Sequence, residues 1–189
     1  TGTAAAPATV SSSAFKLGIA PQIAIIAEET SQNRVVFYLA GSGTATINWG
    51  NGLPNQTITL TSIPTHLYPA YAVPRRRISI YGQDITMLSI SGTLLSLDVS
   101  KNAALKNLGC YSDQPLTGLD VSNNTALTEL RIRYNQFTTA GLNTLFGTLH
   151  SNYVASEKII HIVDNPGTNG CTKSIATSRG GTVNATIYD

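Results

Sequence analysis

Residues suited to directed hydrogen bonding recur at a fixed interval. Asn107 and Glu129, Gly109 and Arg131, and Tyr111 and Arg133 are each 22 residues apart. If these segments are extended and stacked in register, side chains alternate along each one and residues two apart share a face. The columns are then Ser89, Gly109, Arg131 and His161; Ser91, Tyr111, Arg133 and Val163; and Asn107 with Glu129. Tyr111, Arg131, Arg133, Glu129, Asn107 and His161 are therefore the candidate binding residues. Tyr and Arg combine contact area with directed hydrogen bonds and are enriched where interfaces concentrate their energy. The competing reading leaves Arg131 and Arg133 as solvated surface residues, paired with Glu129 or with nothing.

The chemistry expected here is recognition, not catalysis. The chain has no Gly-x-Ser-x-Gly, phosphate loop or His-Glu-x-x-His, and its ten carboxylates show no pairing that suggests an acid and a base poised together. No cofactor is expected. Cys110, Cys171, His66, His150 and His161 lack the spacing of metal ligands. Cys110 is expected in the core rather than in a Cys110–Cys171 bridge, and His150 reads as a helix-end cation. The densest charge run, Arg75-Arg76-Arg77, reads as a solvated strand edge blunted against aggregation rather than as a site that steers an anion. A net charge of +2, from 12 basic and 10 acidic residues, is too small a surplus for the electrostatic footprint of a nucleic-acid binder.

The elements that would position these residues follow from the same interval. Leu97, Val99, Asn102, Leu105, Leu108 and Cys110 are answered 22 positions later by Leu119, Val121, Asn124, Leu127, Leu130 and Ile132. Apolar residues held at a fixed period while the spacers vary signal a stacked repeat, in which an inward Leu is covered only by the units above and below. The segment Leu127-x-x-Leu130-x-Ile132-x-x-Asn135-x-Phe137 resembles the signature of leucine-rich repeats. Leu105-x-x-Leu108-x-Cys110-x-x-Asp113 precedes it, with Asp for Asn and an extra residue, Pro115, before Leu116. Ile85-x-x-Leu88-x-Ile90 is a degenerate earlier copy, and the alternating Leu-Asp-Val-Ser segments at 97–100 and 119–122 resemble bacterial surface leucine-rich-repeat proteins. The resemblance implies that Asn135 bonds the turn backbone, that the middle turn at Asp113 is looser, and that the candidate residues lie on a concave face. Caps are needed at both ends. Leu142, Leu145, Phe146 and Leu149 predict an amphipathic helix with Thr138 or Thr139 as N-cap. A strand at Ile159–Ile162, an Asn165-Pro166-Gly167 turn, a short helix near Ser174–Ser178 and an edge strand at Val183–Ile187 follow.

The preceding stretch, from about Pro21 to Gly82, reads as short strands: Ile23–Ala27, Val35–Ala40, Thr44–Trp49, Thr57–Leu60 and Arg77–Tyr81, separated by Gly- and Pro-rich turns. Trp49-Gly50-Asn51-Gly52 with His66-Leu67-Tyr68 resembles the PKD-like (polycystic-kidney-disease-type) immunoglobulin-like domain. Asn51 replaces the usual Asp, and a structural role for this motif is favoured over a cation site. Asn51 suits a left-handed turn, and the His66 ring is expected to satisfy nearby backbone groups.

The expected fold is thus mainly β with a few helices: a flexible leader over 1–20, a PKD-like β-sandwich over 21–83, and a leucine-rich-repeat domain over 84–189, with repeats to about 137 and an α/β cap over 138–189. No apolar run is long enough to span a bilayer. The expected function is non-enzymatic recognition of an extracellular protein or glycan by an exported bacterial module, tethered upstream of residue 1, with a monomer favoured. The alternative is a structural or spacer domain with no ligand of its own; a hydrolase stands third.

Overall fold

A computed structural model of the protein describes residues 20–28, 35–63, 65–67, 75–111, 116–152 and 157–185. The leader, Asp113 with Pro115, and Tyr68 lie outside them, as does the His66 side chain. The described chain is mainly β, with twelve strands in two sheets and two helices. The strands are β1 (Ile23–Glu28), β2 (Val36–Gly41), β3 (Thr44–Asn48), β4 (Gln56–Thr59), β5 (Thr65–Leu67), β6 (Arg75–Tyr81), β7 (Ile85–Ser91), β8 (Thr93–Asp98), β9 (Asn107–Tyr111), β10 (Glu129–Arg131), β11 (Lys158–His161) and β12 (Gly181–Asn184). The helices are α1 (Thr139–Thr148) and α2 (Ser174–Thr177).

A five-stranded sheet has the order β4-β3-β6-β1-β8, and a seven-stranded sheet the order β12-β11-β10-β9-β7-β2-β5. Alternation builds one shared core. Ile23, Ile25, Ile78, Ile80, Ala45 and Ile47 are buried on the first sheet, and Phe37, Leu39, Leu88, Ile90, Leu108 and Leu130 on the second. Phe37 stacks on Trp49, just past β3, with ring centroids 4.9 Å apart. Trp49 Nε1 donates to Gln56 Oε1 at 2.9 Å, so the indole is buried without leaving its donor unmet. The turn after it depends on glycine: Gly50 has φ +67°, and a Cβ there would lie 2.2 Å from the Arg77 carbonyl oxygen. Asn51 is not left-handed; its Oδ1 accepts from Leu53 N–H while Gly50 and Gly52 take the positive φ.

The arginine triplet does not mark a strand edge. β6 is central, paired with β1 on one side and β3 on the other. Arg76 shares the inward phase of Ile78 and Ile80, is 3 % exposed, and donates from Nη1 to the Trp49 carbonyl at 3.3 Å. Only Arg75 and Arg77 face outward.

From β7 onward the seven-stranded sheet is a parallel ladder. Leu88 pairs with Leu108, Leu108 with Leu130, Leu130 with Ile160, and Ile160 with Val183. On its other side β7 pairs antiparallel with β2, so the sheet runs unbroken across residue 84. The turns between rungs repeat as the sequence does. Asp98 Oδ1 accepts from Ser100 N–H and Asp120 Oδ1 from Ser122 N–H, at 2.9 and 2.8 Å. Hydrogen bonding from the Ser100 side chain, and then from its N–H, holds the Asp98 carboxyl below its ordinary pKa. Asn124 Nδ2 donates to the carbonyls of Val99 and Asn102, Asn135 Nδ2 to those of Cys110 and Arg133, and Asn165 Nδ2 to those of Ile132 and Ile162. Each amide thus ties its own turn to the rung before it. Cys110 is fully buried in the core and its thiol is pushed up to about 12 by desolvation; both cysteines are free.

Between β10 and β11 the chain crosses over through α1, N-capped by Thr138, whose Oγ1 accepts from Gly141 N–H. Leu142, Leu145 and Phe146 are buried beneath it. His150 follows the helix as a buried ring bonded to backbone groups. It is 8 % exposed, its Nδ1 accepts from Asn152 N–H, and Nε2 therefore donates to the Leu127 carbonyl at 2.8 Å. Lys158, also buried, donates from Nζ to the carbonyls of His150 and Arg179, and burial lowers its pKa. Leu130 sits at the centre of the ladder with 1 % exposure. Leu130→Ala should cost about 2 to 5 kcal/mol in a urea titration, the range for a buried leucine whose cavity cannot collapse. A loss below about 0.5 kcal/mol would show that the neighbouring rungs do not depend on it.

Candidate functional site

The outward face of the ladder carries the sequence-predicted residues in the expected register. Met87 pairs with Asn107 and Asn107 with Glu129; Ser89 pairs with Gly109, Gly109 with Arg131, and Arg131 with His161; Ser91 pairs with Tyr111. Val163 lies past the end of β11 and is 3 % exposed, yet it is not part of the hydrophobic core that takes in Ile162. β10 likewise ends at Arg131, yet the Arg133 guanidinium reaches His161 beyond the strand end.

The polar side chains bond to one another. Asn107 Nδ2 donates to Glu129 Oε2 at 2.8 Å, and Glu129 Oε1 forms an ion pair with Arg131 Nη2. Arg133 Nη2 lies 2.7 Å from His161 Nδ1. A guanidinium only donates, so Nδ1 accepts and the imidazole proton resides on Nε2. That nitrogen is 4.0 Å from Glu129 Oε1. Burial, followed by the Arg133 and Arg131 charges, lowers the His161 pKa from 6.5; Glu129 opposes them and is outweighed. The six candidates thus meet as two bonded groups, Asn107–Glu129–Arg131 and Arg133–His161, that approach within 4.0 Å beside Tyr111, with both arginines engaged within the molecule.

Two hollows flank the Asn107–Glu129 contact. A small one of about 20 Å³ is lined by Met87, Ser89, Gly109, Tyr111 and Arg131. A more open one of about 250 Å³ is lined by Asn107, Thr128, Glu129, Glu157 and Ile159. Gly109 makes the first possible: a Cβ there would meet Tyr111 Cε2 at 3.0 Å and Ser89 Oγ at 3.3 Å, so the tyrosine ring leans into the space a side chain would fill. Glu157, Thr128 and Ser89 were not among the candidates. Ser89 and Thr128 carried a signal, since Ser89 shares the Arg131 column and Thr128 adjoins Glu129; Glu157 lies outside the repeat period. Among the described residues no three His, Cys, Asp or Glu side chains are grouped to hold a metal ion, and no helix is long and apolar enough to cross a membrane. Comparison with protein-family models, curated proteins and solved structures finds no match for this chain.

The lowered His161 pKa fixes the sign of a pH effect. The unfolded chain takes up this proton as pH falls through 6.5, whereas the folded chain resists until lower pH. The stability His161 contributes is therefore complete above pH 6.5 and is lost as pH falls from there through its lowered folded value. His161→Gln, which can still accept from Arg133, should flatten the decline in melting temperature just below pH 6.5, above the ordinary carboxylate range. An unchanged slope in the variant would assign the decline to other groups.

Proposed function

We propose that this chain is a non-enzymatic recognition module of the leucine-rich-repeat kind, with a PKD-like immunoglobulin-type sandwich covering its first repeat, exported and held at a bacterial surface. It binds a protein or glycan on the outward, concave side of the repeats. The observation that carries this reading is the strand register that sets two bonded groups, Asn107–Glu129–Arg131 and Arg133–His161, side by side next to Tyr111. Side chains that hold each other in place bind a ligand with less loss of conformational freedom than mobile ones. The 22-residue ladder and its asparagine contacts support the repeat assignment, and the Phe37–Trp49 stack with the Gly50 and Gly52 turn supports the PKD-like one.

A spacer with no ligand is the second reading. It draws on the internal pairing of Arg131 with Glu129 and of Arg133 with His161, which leaves neither guanidinium uncommitted. A screen of the soluble protein against a glycan array and extracellular-matrix proteins separates the two, because a spacer binds nothing in either set.

With a ligand from that screen, Tyr111→Ala and Arg133→Ala should each weaken binding by about 1 kcal/mol or more, the level that separates anchors from bystanders. Arg75→Ser with Arg77→Ser, on the five-stranded sheet, should change only the salt-sensitive part of association. Full affinity in the first pair and none in the second would move the site to that sheet.

A further inference from the structure

The face that carries the cluster does not stop at the repeats. The Arg131 row continues through Gly109 and Ser89 to Tyr38 on β2, because Ser89 pairs with Tyr38 across the antiparallel β7–β2 contact. Tyr38 lies between the buried Phe37 and Leu39, so it points outward, and it is 40 % exposed. At the other end His161 pairs with Asn184 of β12. From β2 to β11 the row crosses four strand spacings, roughly 19 Å at about 4.8 Å each.

We propose that this row, from Tyr38 to His161, is a single platform for a neutral glycan chain lying across the strands. The proposal rests on the recognition reading above and extends its surface onto β2. The chemistry of the row selects the ligand. Glu129 and Arg131 offer an acceptor and a donor side by side, held by their mutual contact and by Asn107. A sugar hydroxyl both donates and accepts, so adjacent hydroxyls on a pyranose ring match such a pair. Tyr38 and Tyr111 stand on the side of the cluster nearer the antiparallel strands, with the Tyr111 ring over Gly109 and the small Ser89 between that ring and Tyr38. Aromatic rings there give the C–H face of a sugar a surface to pack on. The length of a pyranose unit is comparable to one strand spacing, so successive units meet successive strands.

Charge argues for neutrality. Glu129 and Glu157 line the larger hollow, which disfavours uronic or sialic acids there, while Glu129 offsets Arg131. A protein partner fits less well, because protein interfaces centre on a contiguous apolar core. Here the two tyrosines are separated by the polar Ser89 and bordered by charged side chains.

Affinity electrophoresis tests this with gels containing soluble xylan, galactomannan, mixed-linkage β-glucan or hyaluronate, and the full chain as the analyte. The expected result is retardation by at least one neutral polysaccharide that persists in high salt, where a charge-driven contact is screened. Tyr38→Ala should lower that affinity about tenfold, equivalent to about 1.4 kcal/mol, and Tyr38→Phe should retain it. Circular dichroism at the temperature of the gel checks that both variants are folded, so that a lower affinity is read as loss of the ring. Retardation of the parent with full affinity in Tyr38→Ala would overturn the extension onto β2 and leave the repeat face as the site. Retardation by hyaluronate alone, or by none of the four, would overturn the neutral-glycan assignment. The matrix-protein screen then decides separately whether the chain is a recognition module.

Discussion

No strand from β7 to β12 can bury its apolar side chains alone. Leu130 is covered because Leu108 lies on one side of it and Ile160 on the other, and each of those depends on its own neighbours in turn. A parallel ladder of this kind is stable only as a stack, so its ends must be closed. One end is closed by sheet pairing: β2 joins β7 antiparallel, and β8 leaves the ladder to pair with β1. Toward the other end the crossovers are helical: α1 packs Leu142, Leu145 and Phe146 into the core and meets α2, which packs on the last strand, β12, while Lys158 and Arg179 bond the carbonyls of His150 and Leu149 just past α1. The placement of every outward side chain follows from this inward constraint, because a one-residue slip would exchange the two faces.

The turns pose a second problem, since a backbone that bends sharply between short strands leaves carbonyls without ladder partners. Asparagine solves it repeatedly. Asn124, Asn135 and Asn165 each present two amide hydrogens, and each places them on one carbonyl of its own turn or the preceding Asn turn and one of the previous rung. An aspartate cannot do this, as it has no hydrogen to give. The local strain is visible at the residue before two of these amides, where Tyr134 and Asp164 both adopt φ +58°. Non-glycine residues hold that conformation only where the surroundings impose it.

The inward phase of the repeat was legible because apolar residues at a fixed spacing admit one register, and the outward columns follow from it. Pairings across residue 84 were not, since antiparallel contact between β2 and β7 depends on segments whose spacing carries no period. Charged residues misled for a definite reason. By residue type Arg76 reads as solvated and Lys158 carries no inward signal, yet each stands two residues before an inward isoleucine, Ile78 and Ile160, and shares its phase. Alternation was the better guide there, because a long side chain can bury its stem and place its charge on a backbone carbonyl at the core margin. Asn165 was read as part of a turn, although it follows Ile162 by the same three residues that separate Asn135 from Ile132.

On the outward face, the fold supplies geometry more than field. Glu129 is matched by Arg131, and Arg133 is met by an imidazole that stays neutral because burial and two nearby guanidinium groups oppose its protonation. The cluster therefore attracts a distant ion weakly, but it holds donors and acceptors at fixed positions along a row that the sheet prolongs to Tyr38. Protonating His161 would end its role as acceptor and set a third cation beside Arg131 and Arg133, with the Glu129 carboxylate 4.0 Å away to oppose it. The integrity of the face is thus coupled to the same proton that the folded chain resists, and that coupling exists because the parallel register sets β11 directly beside β10.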